Sequence, residues 1–223
     1  MSKLTALLLA STGEEATRIA KFCRKAFSEV LVHHGDWGMA LPEECEWWQG
    51  DVIISYCSRW VVPKQLLTRA SKCAINFHPA PPEYPGIGGI NWALYNDAKS
   101  FGVTCHHMTP KVDAGQIIEV RRFPVLPADD VQSLFSRTHT HLETITYDIL
   151  GSIANGQPLA NSSEVWSGGV RSRVELNALA TITYDMTPQE VTRRIRDANF
   201  GIWKPTKSAG GHVFELKSSA VVR

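Results

Sequence analysis

Nothing in this 223-residue sequence approaches the ~20 consecutive apolar residues that a bilayer-spanning helix requires, so no membrane partner is expected. Basic runs are equally scarce. The longest are the pairs Arg121-Arg122 and Arg193-Arg194, and the net charge is +1. A polybasic face that tracks phosphates is excluded, and with it the expectation of a nucleic-acid partner. The five cysteines (Cys23, Cys45, Cys57, Cys73, Cys105) are odd in number and never in CxxC spacing. They read as reduced thiols of a cytosolic protein, which places the chain in the cytoplasm. Gly-rich phosphate signatures are missing: Ala10-Ser11-Thr12-Gly13 is not GxGxxG, and no GK[ST] occurs. Internal repeats and low-complexity segments are absent. Lys3 followed by Leu4–Ala10 has the outline of a short leader. Ser11-Thr12-Gly13-Glu14-Glu15 cuts the apolar run off, and a first core strand is the expectation.

What is present is an alternation of strands and helices. Leu4–Ala10 suits a strand buried on both faces, and Glu14–Phe27 places Ala16, Ile19, Ala20, Cys23 and Phe27 at helical spacing. Further strands are expected at Val30–Val32, Val52–Cys57, Cys73–Phe77, Phe101–Met108 and Gln116–Val125, and helices at Pro63–Ala70 and Ile90–Tyr95. The longest periodic helix runs over Asp129–Ala154, with Asp129 or Asp130 as its cap. This β-α-β-α order predicts an α/β fold, a parallel, doubly wound sheet with helices on both faces. The texture then changes. Short β-like pieces at Arg171–Leu176, Ala180–Tyr184 and His212–Leu216 flank a helix opened by the capping box Thr187-Pro188-Gln189-Glu190. Residues 1–155 are therefore expected to form the main domain, and 156–223 a small α+β extension. Leu176, Leu179, Ile182, Val191, Ile195, Phe200, Trp203 and Phe214 of that extension need burial, against the main domain or a second subunit.

Three stretches can carry chemistry; the third, Ser55-Tyr56-Cys57-Ser58-Arg59-Trp60-Val61-Val62-Pro63, follows a strand and reads either as core rim or as a wall for a flat heteroaromatic ligand. In Ile75-Asn76-Phe77-His78, Asn76 and His78 lie two apart at the end of an apolar strand and point to one side. The carboxyl ends of parallel strands are where open α/β sheets bind ligands. A Pro- and Gly-rich loop, Pro79–Gly89, follows. An isolated Asn-x-His is more often a turn cap beside a satisfied core histidine. In the second stretch, Gly102-Val103-Thr104-Cys105-His106-His107 leads to Asp113-Ala114-Gly115, where a carboxylate in a turn can orient and polarise an imidazole. Alone, Asp113 reads as an ordinary turn residue. His106 and His107 face opposite sides of a strand, so no metal site is expected.

Together, Asn76-x-His78 with its loop, Gly102-Val103-Thr104-x-His106, Asp113-x-Gly115 and the strand-loop-Pro pattern Asp51–Pro63 resemble the folate-dependent formyltransferase family over roughly residues 4–155. The resemblance implies a Rossmann-like, mostly parallel domain that uses N10-formyltetrahydrofolate as formyl donor. It implies Asn76, His78 and Asp113 as the catalytic trio. Arg59, Trp60, Val61, His106 and Val112 would contact the folate. In that chemistry a neutral amine attacks a formyl carbon, and Asn76 can donate to the resulting oxyanion.

Three branches compete. The glycinamide ribonucleotide enzyme of purine synthesis has a Gly/Ser-rich phosphate loop where this chain has Glu14-Glu15, which would repel a phosphate. The initiator methionyl-tRNA enzyme is longer, with a basic C-terminal domain. The tail Thr187–Leu216 is most similar to sugar N-formyltransferases, the GDP-perosamine type among them. These act on nucleotide-linked amino sugars for bacterial surface polysaccharide (O-antigen, lipopolysaccharide). That branch implies a 4-amino-4,6-dideoxyhexose on GDP or dTDP as acceptor and a homodimer. Tyr84, Asn91 and Trp92 would then contact the sugar nucleotide, although the usual Tyr-Arg-Gly reads here Tyr84-Pro85-Gly86. A non-catalytic folate-binding module is the remaining alternative.

Overall fold

The computed structural model describes residues 4–201 and 203–217; Lys3 and positions 218–223 of the expected extension lie outside them. Six strands form the main sheet in the order β2-β1-β3-β4-β5-β6. They are β1 (Thr5–Ala10), β2 (Glu29–His34), β3 (Gly50–Tyr56), β4 (Ala70–His78), β5 (Ser100–His107) and β6 (Ile117–Pro124). The first four run parallel, while β5 and β6 run antiparallel to their neighbours. The reversal has a local cause. The helix between β4 and β5, α4 (Gly89–Tyr95), has seven residues and rises only about 10 Å, too little to return the chain along a nine-residue strand.

Both faces of the sheet are covered. On one side Leu8, Ile54, Ile75 and Cys105 pack under α1 (Glu14–Ala26) and α5 (Val131–Ala154). On the other, Leu7, Leu9 and Ile53 meet Cys45 of α2 (Glu44–Trp47) and Leu66 of α3 (Lys64–Leu67). The leucines of β1 are thus sealed from both faces, each burial contributing about 1.5–3 kcal/mol. Asp130 caps α5, accepting from the Ser133 amide at 2.8 Å while the Ser133 hydroxyl accepts from the Asp130 amide.

The tail departs from expectation in three places. Residues after Ser172 form a helix, α6 (Arg173–Leu179), where a β-like piece was expected. The signal was legible, because Ser172 and Glu175 form a complete capping box. At α7 (Pro188–Ala198) the box is only half made. Thr187 accepts from the Glu190 amide, but the Glu190 carboxylate accepts from Tyr95 Oη at 2.8 Å and Arg194 Nε at 2.5 Å. The second sheet has three strands, β7 (Thr181–Ile182), β8 (Thr206–Ala209) and β9 (His212–Glu215), of which β8 carries no pattern the sequence revealed. Leu179 is buried and Phe200 packs on Phe135 of α5, whereas Trp203 and Phe214 stay about half exposed.

Before α6 the tail straps the main sheet. Ser162 donates to the Ile117 carbonyl, Ser167 to Pro82, and Arg171 to Pro85. Among the described residues no helix is long and apolar enough to cross a membrane.

Candidate active site

One cleft of about 1120 Å³ opens outside the carboxyl ends of β1, β3 and β4. It lies where the strand order turns from β1 toward β2 on one side and β3 on the other, the switch point at which open α/β sheets bind ligands. Its walls include Ser11–Gly13 after β1, Cys57–Val62 after β3, Asn76–Ala80, and Asp113.

Sheet register assembles the centre. Asn76 of β4 lies directly opposite His106 of β5, and Asn76 Nδ2 donates to His106 Nε2 at 3.0 Å. His106 Nδ1 lies 2.8 Å from the His107 carbonyl, which assigns its proton to Nδ1 and leaves Nε2 as the acceptor. Asn76 therefore spends one amide hydrogen on His106 and keeps the other. His78, two residues on, directs Nε2 to the Tyr84 carbonyl at 3.1 Å and Nδ1 to Asp113.

Asp113 sits between the two rings, Oδ2 at 3.5 Å from His78 Nδ1 and Oδ1 at 3.4 Å from His106 Nε2. It also accepts the Gly86 amide at 2.8 Å. Its backbone is left-handed (φ 42°), a conformation aspartate tolerates in turns. Gly115 explains the rest of the motif, since a Cβ there would stand 1.7 Å from the His107 carbonyl oxygen. Burial pushes the Asp113 carboxyl up, but the neighbouring His78 and His106 rings and the hydrogen bond from the Gly86 amide outweigh it and hold it down at about 2. The centre thus carries a fixed negative charge at neutral pH, flanked by imidazoles.

The loop residues divide. Arg59, Trp60, Val61 and Val112 all line the cleft. Trp60 is pinned through Nε1 to the Met39 carbonyl at 2.9 Å, while Val61 and Val112 are exposed. Asn91 lines it too, although its Nδ2 donates to the Asp197 carbonyl at 2.7 Å. Tyr84 and Trp92 are not brought to the cleft. The Tyr84 ring packs against Phe101, leaving its carbonyl to hold His78, and Trp92 lies under the Arg171 guanidinium and against Tyr95.

Trp166 and His139 escaped the sequence reading. Trp166, from the strap, sets its ring edge-on to both His106 and His78, with centroids 5.0 and 5.9 Å away, and donates from Nε1 to the Gly115 carbonyl. It sits in an aperiodic Ser/Gly stretch that gives no signal. Glu15 and His139, both on the cleft wall, lie 2.5 Å apart, and that contact chiefly lowers the Glu15 pKa. Cys57 also lines the cleft, but burial pushes its thiol up to about 12, which excludes a thiolate nucleophile at neutral pH. Among the described residues no group of three or more His, Cys, Asp or Glu is arranged to hold a metal ion.

Comparison with known proteins gives a consistent picture. The family described as "Formyl transferase" matches residues 19–149, more than half of the chain. Among curated proteins, the methionyl-tRNA formyltransferase of Latilactobacillus sakei subsp. sakei (strain 23K) is 33% identical over 119 residues, 52% of this chain and 37% of that protein. The methionyl-tRNA formyltransferase of Lysinibacillus sphaericus (strain C3-41) is 28% identical over 177 residues, 74% of this chain and 56% of that one. The chain thus spans about half or less of these relatives' length. Among solved structures, a sugar N-formyltransferase from Shewanella sp FDAARGOS_354 superposes with TM-score 0.79 at 16% identity, over 98% of this chain and 99% of that one. An N-formyltransferase from Helicobacter canadensis, in complex with folinic acid and dTDP-3-aminofucose, superposes with TM-score 0.70 at 19% identity, over 95% and 85%. At these identities the superpositions establish the shared fold.

Proposed function

Because this chain belongs to the formyl transferase family, we propose that it moves the formyl group of N10-formyltetrahydrofolate to the amine of a nucleotide-linked amino sugar. A 4-amino-4,6-dideoxyhexose on GDP or dTDP, destined for bacterial surface polysaccharide, is the acceptor this reading favours. The observation that carries it is the Asn76–His106–Asp113–His78 cluster at the floor of one deep cleft.

The donor supplies an activated formyl carbon, and attack by an amine places negative charge on the formyl oxygen. The Asn76 hydrogen that His106 leaves free is the donor for that oxygen, preorganised because His106 fixes the amide. Asp113, held far below the ordinary carboxylate range, is a poor proton acceptor at neutral pH. Its fixed charge instead orients both imidazoles, and His78 is the ring left to pass on the amine proton. Trp60, Val61 and Val112 offer an apolar, exposed wall suited to a flat heteroaromatic ring, so the residues present fit a reduced folate. The tail, whose Arg173, Asn177 and Lys204 line the cleft together with this cluster, supports a small acceptor. The exposed Val213 and Phe214 on edge strand β9 support a homodimer.

The test is turnover with N10-formyltetrahydrofolate and a panel of nucleotide-linked amino sugars, read by mass spectrometry. Glycinamide ribonucleotide and charged initiator methionyl-tRNA serve as competing acceptors, the latter because the curated relatives are methionyl-tRNA formyltransferases. Formylation of an amino sugar in preference to both supports the reading. Folate binding without turnover of any acceptor defeats it.

A further inference from the structure

Four side chains from four separate parts of the chain stack into a ladder on the cleft wall. The Arg59 guanidinium, after β3, lies 4.6 Å from the ring centroid of Trp37, which follows β2. On Trp37 also sits the Arg173 guanidinium from the start of α6, at 5.0 Å. Arg173 in turn lies 4.7 Å from the ring of Trp203, just before β8. All four residues line the cleft that holds Asn76 and Asp113. Trp37 and Trp203 are each about half exposed, so the ladder faces solvent.

The ladder is incomplete as a charge arrangement. Two cations flank one indole, and among the described residues neither Arg59 nor Arg173 has an ion pair with a carboxylate or a hydrogen bond. By contrast Arg18, also on the cleft wall, is held bidentately by Glu143. Burial and then the neighbouring Arg59 charge lower the Arg173 pKa, the cost expected of like charges without a counterion. The contacts with the indoles spend no guanidinium N–H in a hydrogen bond, so the five donors on each remain available.

From this geometry we propose that the ladder is a receptor for the diphosphate of a nucleoside diphosphate. Arg59 and Arg173 grip it by their edges, and Arg173 of the tail selects the acceptor. The proposal rests on the reading of the acceptor as a nucleotide-linked sugar. A diphosphate presents oxygen acceptors on every side of two linked tetrahedra, matching two forks at neighbouring levels. The carboxylates of a folate's glutamyl tail are planar and separately placed, and are the rival source of anion.

The experiment is calorimetric titration of the full chain with dTDP, GDP and, separately, 5-formyltetrahydrofolate. Wild type, Arg173→Gln, Arg173→Lys and Arg59→Gln are compared, each first checked by thermal melting. Arg173→Gln is expected to weaken nucleoside diphosphate binding about tenfold or more, with folate binding changed less than about twofold. Arg173→Lys, which keeps the charge but loses the fork, falls between. In turnover, Arg173→Gln raises KM for the amino-sugar nucleotide with little change in kcat. Nucleoside diphosphate affinity unchanged in Arg173→Gln overturns the ladder, and so does a loss of folate affinity in its place. If Arg173→Gln fails to fold, Arg173→Lys decides by the same comparison. The two readings fail separately. Diphosphate binding that depends on Arg173 without turnover of any amino sugar sinks the acceptor assignment but not the ladder. Turnover of an amino sugar with KM indifferent to Arg173 does the reverse.

Discussion

Replacing Asp113 with asparagine keeps the shape of the side chain and removes the charge on which two imidazoles and one amide converge. The folded carboxyl titrates at about 2 against 3.8 for an ordinary aspartate. At about 1.36 kcal/mol for each pKa unit, the ionised side chain contributes on the order of 2 kcal/mol to stability at neutral pH. Because the folded pKa is depressed, that contribution is complete above the unfolded value near 4 and is lost as pH falls toward 2. Asp113→Asn should therefore be about 2 kcal/mol less stable at neutral pH, and the gap to wild type should narrow steadily as pH falls through 4 toward 2. Urea denaturation of both proteins at a series of pH values measures it. A stability difference that does not change with pH would show that the Asp113 charge is not what His78, His106 and Gly86 hold. Turnover should fall by about 10²–10⁴ in the same variant, since the rings lose their orienting charge.

Asn76→Ala should raise the activation barrier by about 2.7–4 kcal/mol if its free amide hydrogen meets the formyl oxygen. A loss confined to KM would mark it instead as a binding residue. His106 acts through Asn76 as a positioning residue, so His106→Ala should lower kcat with both KM values kept, and His106→Gln, which retains an acceptor, should recover part of the rate. Equal rates for the two variants would refute the amide-orienting role. Gly115→Ala drives a Cβ against the His107 carbonyl and should displace the Asp113 turn. A destabilisation of about 1–3 kcal/mol and most of the turnover lost are expected in melting and rate assays.

The sequence by itself determined the features that depend on neighbours along the chain. The leucines of β1, the helical stripe of α1 and the cap of α5 are period and capping signals, so these elements fall within a few residues of expectation. Asn76 and His78 share a side because a strand repeats every second residue, and Asp113 stands in a turn because Gly115 lets the chain pass close to His107. Tertiary structure decided what depends on partners distant in sequence. Register set His106 opposite Asn76, a pairing that no spacing within either strand encodes. The Glu190 carboxylate left its capping box for Arg194 of the same helix and the Tyr95 hydroxyl of α4, because a charge-assisted bond to a guanidinium outcompetes one to a backbone amide. Tyr84 turned its ring to Phe101 and gave only its carbonyl to His78, while Trp37, Arg59, Arg173 and Trp203 met across more than 160 residues. Aromatic and guanidinium side chains leave no periodic trace of the neighbour they will stack on, since stacking is settled only when separate elements pack.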